Sequence, residues 1–323
     1  MKLDYENALY YFKEYVLEQK RETSEHERLM GINQKVLHTL DVVDSGEDIA
    51  KSLKFNSSVT ELLKIALLDH DIGRFLQMRV IGTYKDYDLK QSGFCNVENH
   101  GELGEKVLIG GNFTLPNGEV LEQYSLLKRQ LLKNRLFDDC ILSVVRNHVD
   151  NISDTKDLLI LTKKILKNED ITDIFMSADS KTIKSIISAF TQIVQDVDRL
   201  DIYYQILDDR FICKKTDEEI NSVVFDKFYN GEYLNINELK CQGLWNSNVG
   251  ELVRLSFINQ IRLLSVIEKI KNEQIIEKLK CKNDNKKVLD AYDFTIEKIN
   301  KIINSSEDGV TTSYVKKKSI WHN

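Results

Sequence analysis

One proline in 323 residues, Pro116, leaves this chain very few places where a helix is forced to stop. Proline removes a backbone donor and clashes with the preceding turn, so its scarcity permits long helices. Fourteen glycines are too few for the many tight turns of a β-sandwich. Runs rich in Leu, Ile, Lys and Glu carry apolar residues at helical spacing, and the fold class they predict is all-α, a helical bundle.

The stripe Tyr5, Leu9, Phe12 and Val16 predicts a helix over residues 4–20. Leu29, Ile32, Val36, Leu37 and Leu40 predict a second over 28–43, ended by Asp44-Ser45-Gly46 and followed by a separate helix, Glu47 to Leu53. Ser58 and Glu61 form a capping-box pattern that opens a helix from Val59 to Asp71. Residues 76–98 lack a sustained period and read as a long ordered loop containing Tyr84, Tyr87 and Phe94. A helix begins at Asn99 or His100 and ends at Gly110-Gly111, and residues 112–124 read as irregular. Helices follow over Leu136–Val149, Leu158–Leu166, Ile171–Phe175 and Thr182–Leu207. Composition changes near Asp208-Asp209. Beyond it lie a mixed segment, 210–248, two charged helices, Val249–Lys280 and Lys286–Asn304, and a polar tail.

Hydrophobic residues make up 42% and charged residues 30%, values of a soluble globular protein. No apolar stretch approaches the ~18 residues of a membrane span. The N-terminal MKLDYENALYYFKEYV lacks a signal peptide's apolar core, so the expected location is cytoplasmic. Five cysteines without a CxxC pair read as free thiols. A net charge of −6 argues against a membrane or duplex nucleic acid as partner, but is compatible with a small anionic substrate.

The chemistry-bearing feature is IALLDHDIGRF, residues 65–75, where an apolar run ends in His70-Asp71. An imidazole and a carboxylate at the end of a buried helix are costly without a partner, and a divalent cation is the partner that takes both. Of six histidines, His26 and His322 lie near the ends and read as surface residues. His38, His100 and His148 fall, like His70, in or beside helical segments, and the acidic run Asp196-Val197-Asp198-Arg199-Leu200-Asp201 follows the apolar run Ile183–Val194.

In this order the residues resemble the HD-domain metal-dependent phosphohydrolase superfamily: an isolated His38 in KVLHTLDVV, the doublet His70-Asp71 in LLDHDIG, and a distant Asp198 in QDVDRLD. His100 in NHGELGEKVL and His148 in VVRNHVD stand where two-metal variants carry extra histidines. The resemblance covers roughly residues 25–205. It implies an HD domain over 1–207, including the N-terminal helix, with 208–323 as a helical extension packed on the core. It also implies that His38, His70, Asp71 and Asp198 hold a first metal, and that His100 and His148 hold a second with Asp71 bridging. Asp71, His100 and His148 are then the catalytic candidates, with Arg74 beside them. The cofactor is one or two divalent ions (Mn, Fe, Mg, Ni, Co or Zn). Arg74 and, more weakly, Lys85 are candidates for substrate phosphate.

Subfamily marks narrow the reading. Ile72-Gly73-Arg74-Phe75 lacks the acidic pair of the guanosine tetraphosphate hydrolases. The Gly-Tyr-Pro element of the cyclic-di-GMP class is missing, as is the His-rich continuation of the deoxynucleoside-triphosphate hydrolases. HDIGRF, the GTY segment and NHGELG are similar to a bacterial branch of HD hydrolases. The implied function is phosphohydrolysis of a nucleotide or related small phosphate ester. The alternatives are a phosphodiesterase on a cyclic dinucleotide or oligonucleotide, and a catalytically silent metal-binding sensor or interaction protein; a homo-oligomer is compatible with each. Asp201 reads as structural or as a carboxylate behind the ligands. Asp69 and Asp196 read as solvated, Arg199 as a surface ion pair or phosphate contact, and Lys316-Lys317-Lys318 as a solvated tail.

Overall fold

The computed structural model describes residues 3–130, 135–149, 170–208, 222–232, 234 and 247–305. The predicted helix Leu158–Leu166, most of segment 210–248 and the tail with Lys316–Lys318 and His322 lie outside the described residues. The described elements are helical apart from one two-stranded hairpin, so the fold is all-α. The chain divides into two compact units, Met1–Gln205 and Ile206–Asn323. Among the described residues, no helix is long and apolar enough to cross a membrane.

In the first unit, α1 (Tyr5–Arg21) is capped by Asp4, whose carboxylate accepts from the Asn7 N–H at 3.1 Å. Helix α2 (His26–Ser52) runs unbroken through the stop expected at 44–46. Gly46 is there for space: a Cβ at that position would run into the Leu67 side chain of α3. Helix α3 (Ser57–Asp69) starts two residues earlier than expected because Asn56, not Ser58, is its cap. The Asn56 side chain accepts from the Val59 N–H at 3.0 Å, and Glu61 accepts instead from the Tyr5 N–H at 3.0 Å. Val59, Leu62, Leu63, Ile65, Leu67 and Leu68 of α3 are all buried. Each contributes roughly 1.5–3 kcal/mol on leaving water, which offsets the cost of drawing polar groups inward at the helix end.

The loop expected over 76–98 is largely helical. Helix α4 (Ile72–Ile81) buries every residue from Ile72 to Met78 and stops at Gly82, whose φ of 78° is left-handed. Helix α5 (Asp86–Ser92) and a 3₁₀ turn, Phe94–Asn96, follow. Helix α6 (His100–Ile109) is capped by Asn99, which accepts from the Glu102 N–H at 3.0 Å. Residues 112–124, expected to be irregular, contain most of a hairpin: β1 (Gly111–Thr114) pairs antiparallel with β2 (Val120–Gln123), Phe113 opposite Leu121. Then come α7 (Leu126–Gln130), α8 (Arg135–Asn147), α9 (Ile171–Ser177) and the long α10 (Ser180–Leu207).

Helices α4, α6 and α8 meet through glycines. A Cβ on Gly73 would stand 2.6 Å from both Gly104 N and the His100 carbonyl, and one on Gly101 would stand 2.5 Å from the Arg146 carbonyl. Only glycine allows this approach, which brings three ligand-bearing segments together.

In the second unit are α11 (Ser222–Tyr229), α12 (Asn248–Ser256), α13 (Leu264–Asn272), α14 (Ile275–Lys280) and α15 (Lys286–Ser305). The single helix expected over Val249–Lys280 is broken at 260–263 and again at Gln274, which takes a left-handed φ of 53°. Helix α15 turns Val288, Ala291, Tyr292, Thr295, Ile299 and Ile302 inward, a stripe at helical spacing.

Candidate metal centre

Five segments of the first unit converge on one buried point. His38 comes from the middle of α2, His70-Asp71 from the junction of α3 and α4, and His100 from the first position of α6. His148 follows the end of α8, and Asp198 lies on α10. The junction at Asp71 is abrupt: α3 ends at Asp69 and α4 begins at Ile72, so the doublet turns between two helices whose facing turns are buried. Side-chain exposure is 4% or less for His38, His70 and His148, 5% for Asp71, 10% for His100 and 27% for Asp198.

The Asp71 carboxylate divides its two oxygens between two sets of side chains. Oδ2 lies 3.5 Å from His38 Nε2 and 3.3 Å from His70 Nε2, and Asp198 Oδ1 lies 3.1 Å and 3.8 Å from the same two nitrogens. Oδ1 lies 3.3 Å from His100 Nε2 and 3.6 Å from His148 Nε2. A cation with bonds of about 2.0–2.2 Å separates its ligand atoms by roughly 3.0–3.5 Å, close to these spacings. His38, His70, Asp71 and Asp198 could therefore hold one metal ion, and Asp71, His100 and His148 a second.

The far side of each ring is already committed. His38 Nδ1 lies 2.5 Å from Asp201 Oδ2, and His70 Nδ1 lies 2.6 Å from the Leu67 carbonyl. His100 Nδ1 lies 2.9 Å from both oxygens of Asp86, and His148 Nδ1 lies 2.7 Å from the Val145 carbonyl. Each partner can accept a proton from Nδ1, the arrangement in which Nε2 is the atom turned inward to meet a cation. His100 Nε2 and His148 Nε2 face one another at 3.1 Å. Two lone pairs at that distance repel unless a proton or a cation sits beside them. His38 Nε2, His70 Nε2 and Asp71 Oδ1 are buried without a hydrogen-bond partner. Orphaned atoms of this kind, converging on one point, are what a cation site presents.

The electrostatics agree. Burial and the nearby Lys35 ammonium act to lower the His38 pKa, but the carboxylates of Asp198, Asp201 and Asp71 around the ring outweigh them and raise it to about 10. His70 is raised despite its burial, by the nearby carboxylates of Asp71 and Asp198. Burial and the Arg74 charge hold His100 down at about 4, against the pull of Asp86. The acidic set binds positive charge at the His38 end even as protons, while His100 stays a neutral ligand at pH 7.

The structure places the remaining residues singled out in the sequence as follows. Arg74 is 7% exposed, and its guanidinium donates to Gln77 Oε1 at 3.0 Å, to Asp86 Oδ1 at 2.9 Å and to the Tyr84 carbonyl. It braces the carboxylate behind His100. Lys85 is half-buried and precedes α5; its carbonyl accepts from Gln77 Nε2 at 3.1 Å. The lysine that meets the cluster is Lys35, whose ammonium pairs with Asp71 Oδ2. Asp69 and Asp196, read as solvated, are fully buried. Asp69 accepts from Gln130 Nε2 at 3.1 and 3.0 Å, and Asp196 accepts from Gln192 Nε2 at 2.7 Å and pairs with Arg199 at 3.5 Å. His26 is exposed, as expected. Asp201, weighed as a carboxylate behind the ligands, takes that place against His38, with Gln205 donating to the same oxygen.

Sequence reasoning missed Lys35, Asp86 and Gln195, whose amide donates to the His148 carbonyl at 2.9 Å. Asp201 carried a local signal, three residues past Asp198 on one helix face. Lys35 carried the same signal relative to His38. Asp86 carried none, because it meets His100 only through the fold. The chain matches no protein-family model, no curated protein and no solved structure.

Proposed function

We propose that this protein is a divalent-metal-dependent phosphohydrolase acting on a nucleotide or related small phosphate ester. The observation that carries the reading is the Asp71 carboxylate, shared between His38, His70 and Asp198 on one side and His100 and His148 on the other, with every Nε2 turned inward. The order of these residues along the chain, with its resemblance to HD-domain phosphohydrolases, supports the same class. A divalent cation bound by these residues would supply Lewis acidity toward phosphoryl oxygens and lower the pKa of water.

The chain's own residues do the rest. Asp201, Asp86 and the Leu67 and Val145 carbonyls orient the four rings. Packing of α3, α4 and α6 keeps bulk water from the ligands. Asp198, the most exposed ligand, marks the side from which a substrate enters.

The test is a screen of purified protein supplemented in turn with Mn, Fe, Mg, Ni, Co and Zn. Substrates are nucleoside mono-, di- and triphosphates, cyclic dinucleotides and short oligonucleotides. Metal-dependent turnover of a mononucleotide or small phosphate ester is the expected result. Turnover confined to cyclic dinucleotides or oligonucleotides makes the protein a phosphodiesterase. Tight metal binding with no turnover on any of them overturns the hydrolase reading in favour of a metal-binding sensor.

A further inference from the structure

The Lys35 ammonium pairs with Asp71 Oδ2, the oxygen that faces His38, His70 and Asp198. Lys35 and His38 are one turn apart on α2, so the lysine is carried on the same rigid element as a ligand. Its side chain is 17% exposed against 5% for Asp71, so the lysine is more open to solvent than the carboxylate it pairs with. Beside it is Tyr84, whose ring centroid is 6.0 Å from the Lys35 ammonium and 6.0 Å from the Arg74 guanidinium. The Tyr84 hydroxyl is buried and has no hydrogen-bond partner. The two cations at this ring differ: Arg74 is tied through Nη1 to Gln77, the Tyr84 carbonyl and Asp86 and lies 3.7 Å from Asp71 Oδ1, whereas Lys35 has Asp71 as its one anionic partner among the described residues.

We propose that Lys35 is an exchangeable counter-cation, holding Asp71 in the metal-free protein and turning, once a metal takes Asp71 Oδ2, to bind the anionic phosphoryl group of the substrate. The inference rests on the metal-centre reading above. An ammonium and a divalent cation cannot both sit on one carboxylate oxygen without strong like-charge repulsion. A flexible four-carbon stem lets the lysine swing while His38 stays fixed. Displaced from Asp71, the ammonium needs a new anion, and a phosphoryl oxygen supplies it. Tyr84 bounds its path and offers a hydroxyl donor to the same group.

The test uses the full chain as wild type, Lys35→Met and Lys35→Arg, with circular dichroism to confirm folding. Calorimetry measures Mn²⁺ binding to the metal-free proteins, then inorganic phosphate binding to the Mn²⁺-loaded ones. Lys35→Met should bind Mn²⁺ about tenfold tighter than wild type, having no competitor for Asp71, and should bind phosphate at least about tenfold weaker. Lys35→Arg, which keeps the charge, should stay nearer wild type in both; if Lys35→Met fails to fold, Lys35→Gln takes its place. Unchanged Mn²⁺ affinity or unchanged phosphate affinity in the neutral variant overturns the proposal while leaving the metal centre standing. A wild-type protein that binds neither Mn²⁺ nor any other divalent ion overturns the metal centre itself, and this inference with it.

Discussion

His100 and Asp86 are joined by a bond in which one ring nitrogen, Nδ1, lies 2.9 Å from both carboxylate oxygens, and the His100 backbone N–H donates to Oδ1 at 3.2 Å as well. Asp86 thus fixes both the ring and the start of α6. Asp86→Asn should weaken metal binding at the Asp71–His100–His148 set by about 10- to 100-fold, the usual cost of losing an orienting carboxylate. The His38–His70–Asp198 set should keep its affinity. Metal stoichiometry by mass spectrometry, with calorimetric titration, reads the two sets separately.

The metal-free protein should lose stability as pH rises from about 6.5 to about 10. His38 has a folded pKa raised from 6.5 to about 10, so the folded state holds its proton over a range in which the unfolded chain has lost it. The stabilisation is complete below about 6.5 and disappears as pH climbs through the folded value. Urea midpoints of chelator-treated protein across this range check the slope. In His38→Asn the slope should flatten, and a persistent slope of the same size would assign it to other groups.

Asp69 runs in the opposite sense to a salt-bridged acid. Burial raises its pKa from 3.8 to about 7, against the hydrogen bond from Gln130. Between those values the unfolded chain gives up the proton first, so Asp69 draws stability down as pH rises from about 4 to 7. Asp69→Asn removes the titration and can pair amide to amide with Gln130, whose Oε1 is otherwise unpartnered. At pH 7.5 the variant should melt at or above the wild-type temperature. A fall of several degrees would show that the ionised carboxylate is needed.

Gly101→Ala tests whether helix approach and site geometry are one property. The new methyl would stand 2.5 Å from the Arg146 carbonyl and 2.9 Å from the Val145 carbonyl, and the latter orients His148. Overpacking of this kind costs about 1–3 kcal/mol, read from denaturant unfolding. Metal capacity should fall at the His100–His148 set before it falls at the other.

How much of this is readable without coordinates depends on the range of the interaction. Helix α3 announces itself through local periodicity, and the Asn99 start and Gly110 end of α6 through local cap chemistry. His38 and Asp198 are grouped in the sequence only by motif order, and the fold places them 3.1 Å apart. Gly46 reads as a helix break yet serves a close helix contact, and the two look alike until Leu67 is seen opposite. Residues 76–98 read as a loop because α4, α5 and a 3₁₀ turn are each too short to show a period. Asp69 reads as solvated from sequence alone because its partner, Gln130, is 61 positions away.

Two of the four acceptors that hold the rings are backbone carbonyls, Leu67 and Val145, and two are carboxylates anchored on α5 and α10. The imidazoles are therefore aimed by folding, before any ion arrives. A cage assembled in advance does not reshape itself around its guest. Its preference among divalent ions should follow ionic radius and tolerated coordination angle more closely than the general affinity ladder from manganese to copper. One ion should also replace another by simple exchange through the mouth of the site, with the helices staying folded throughout.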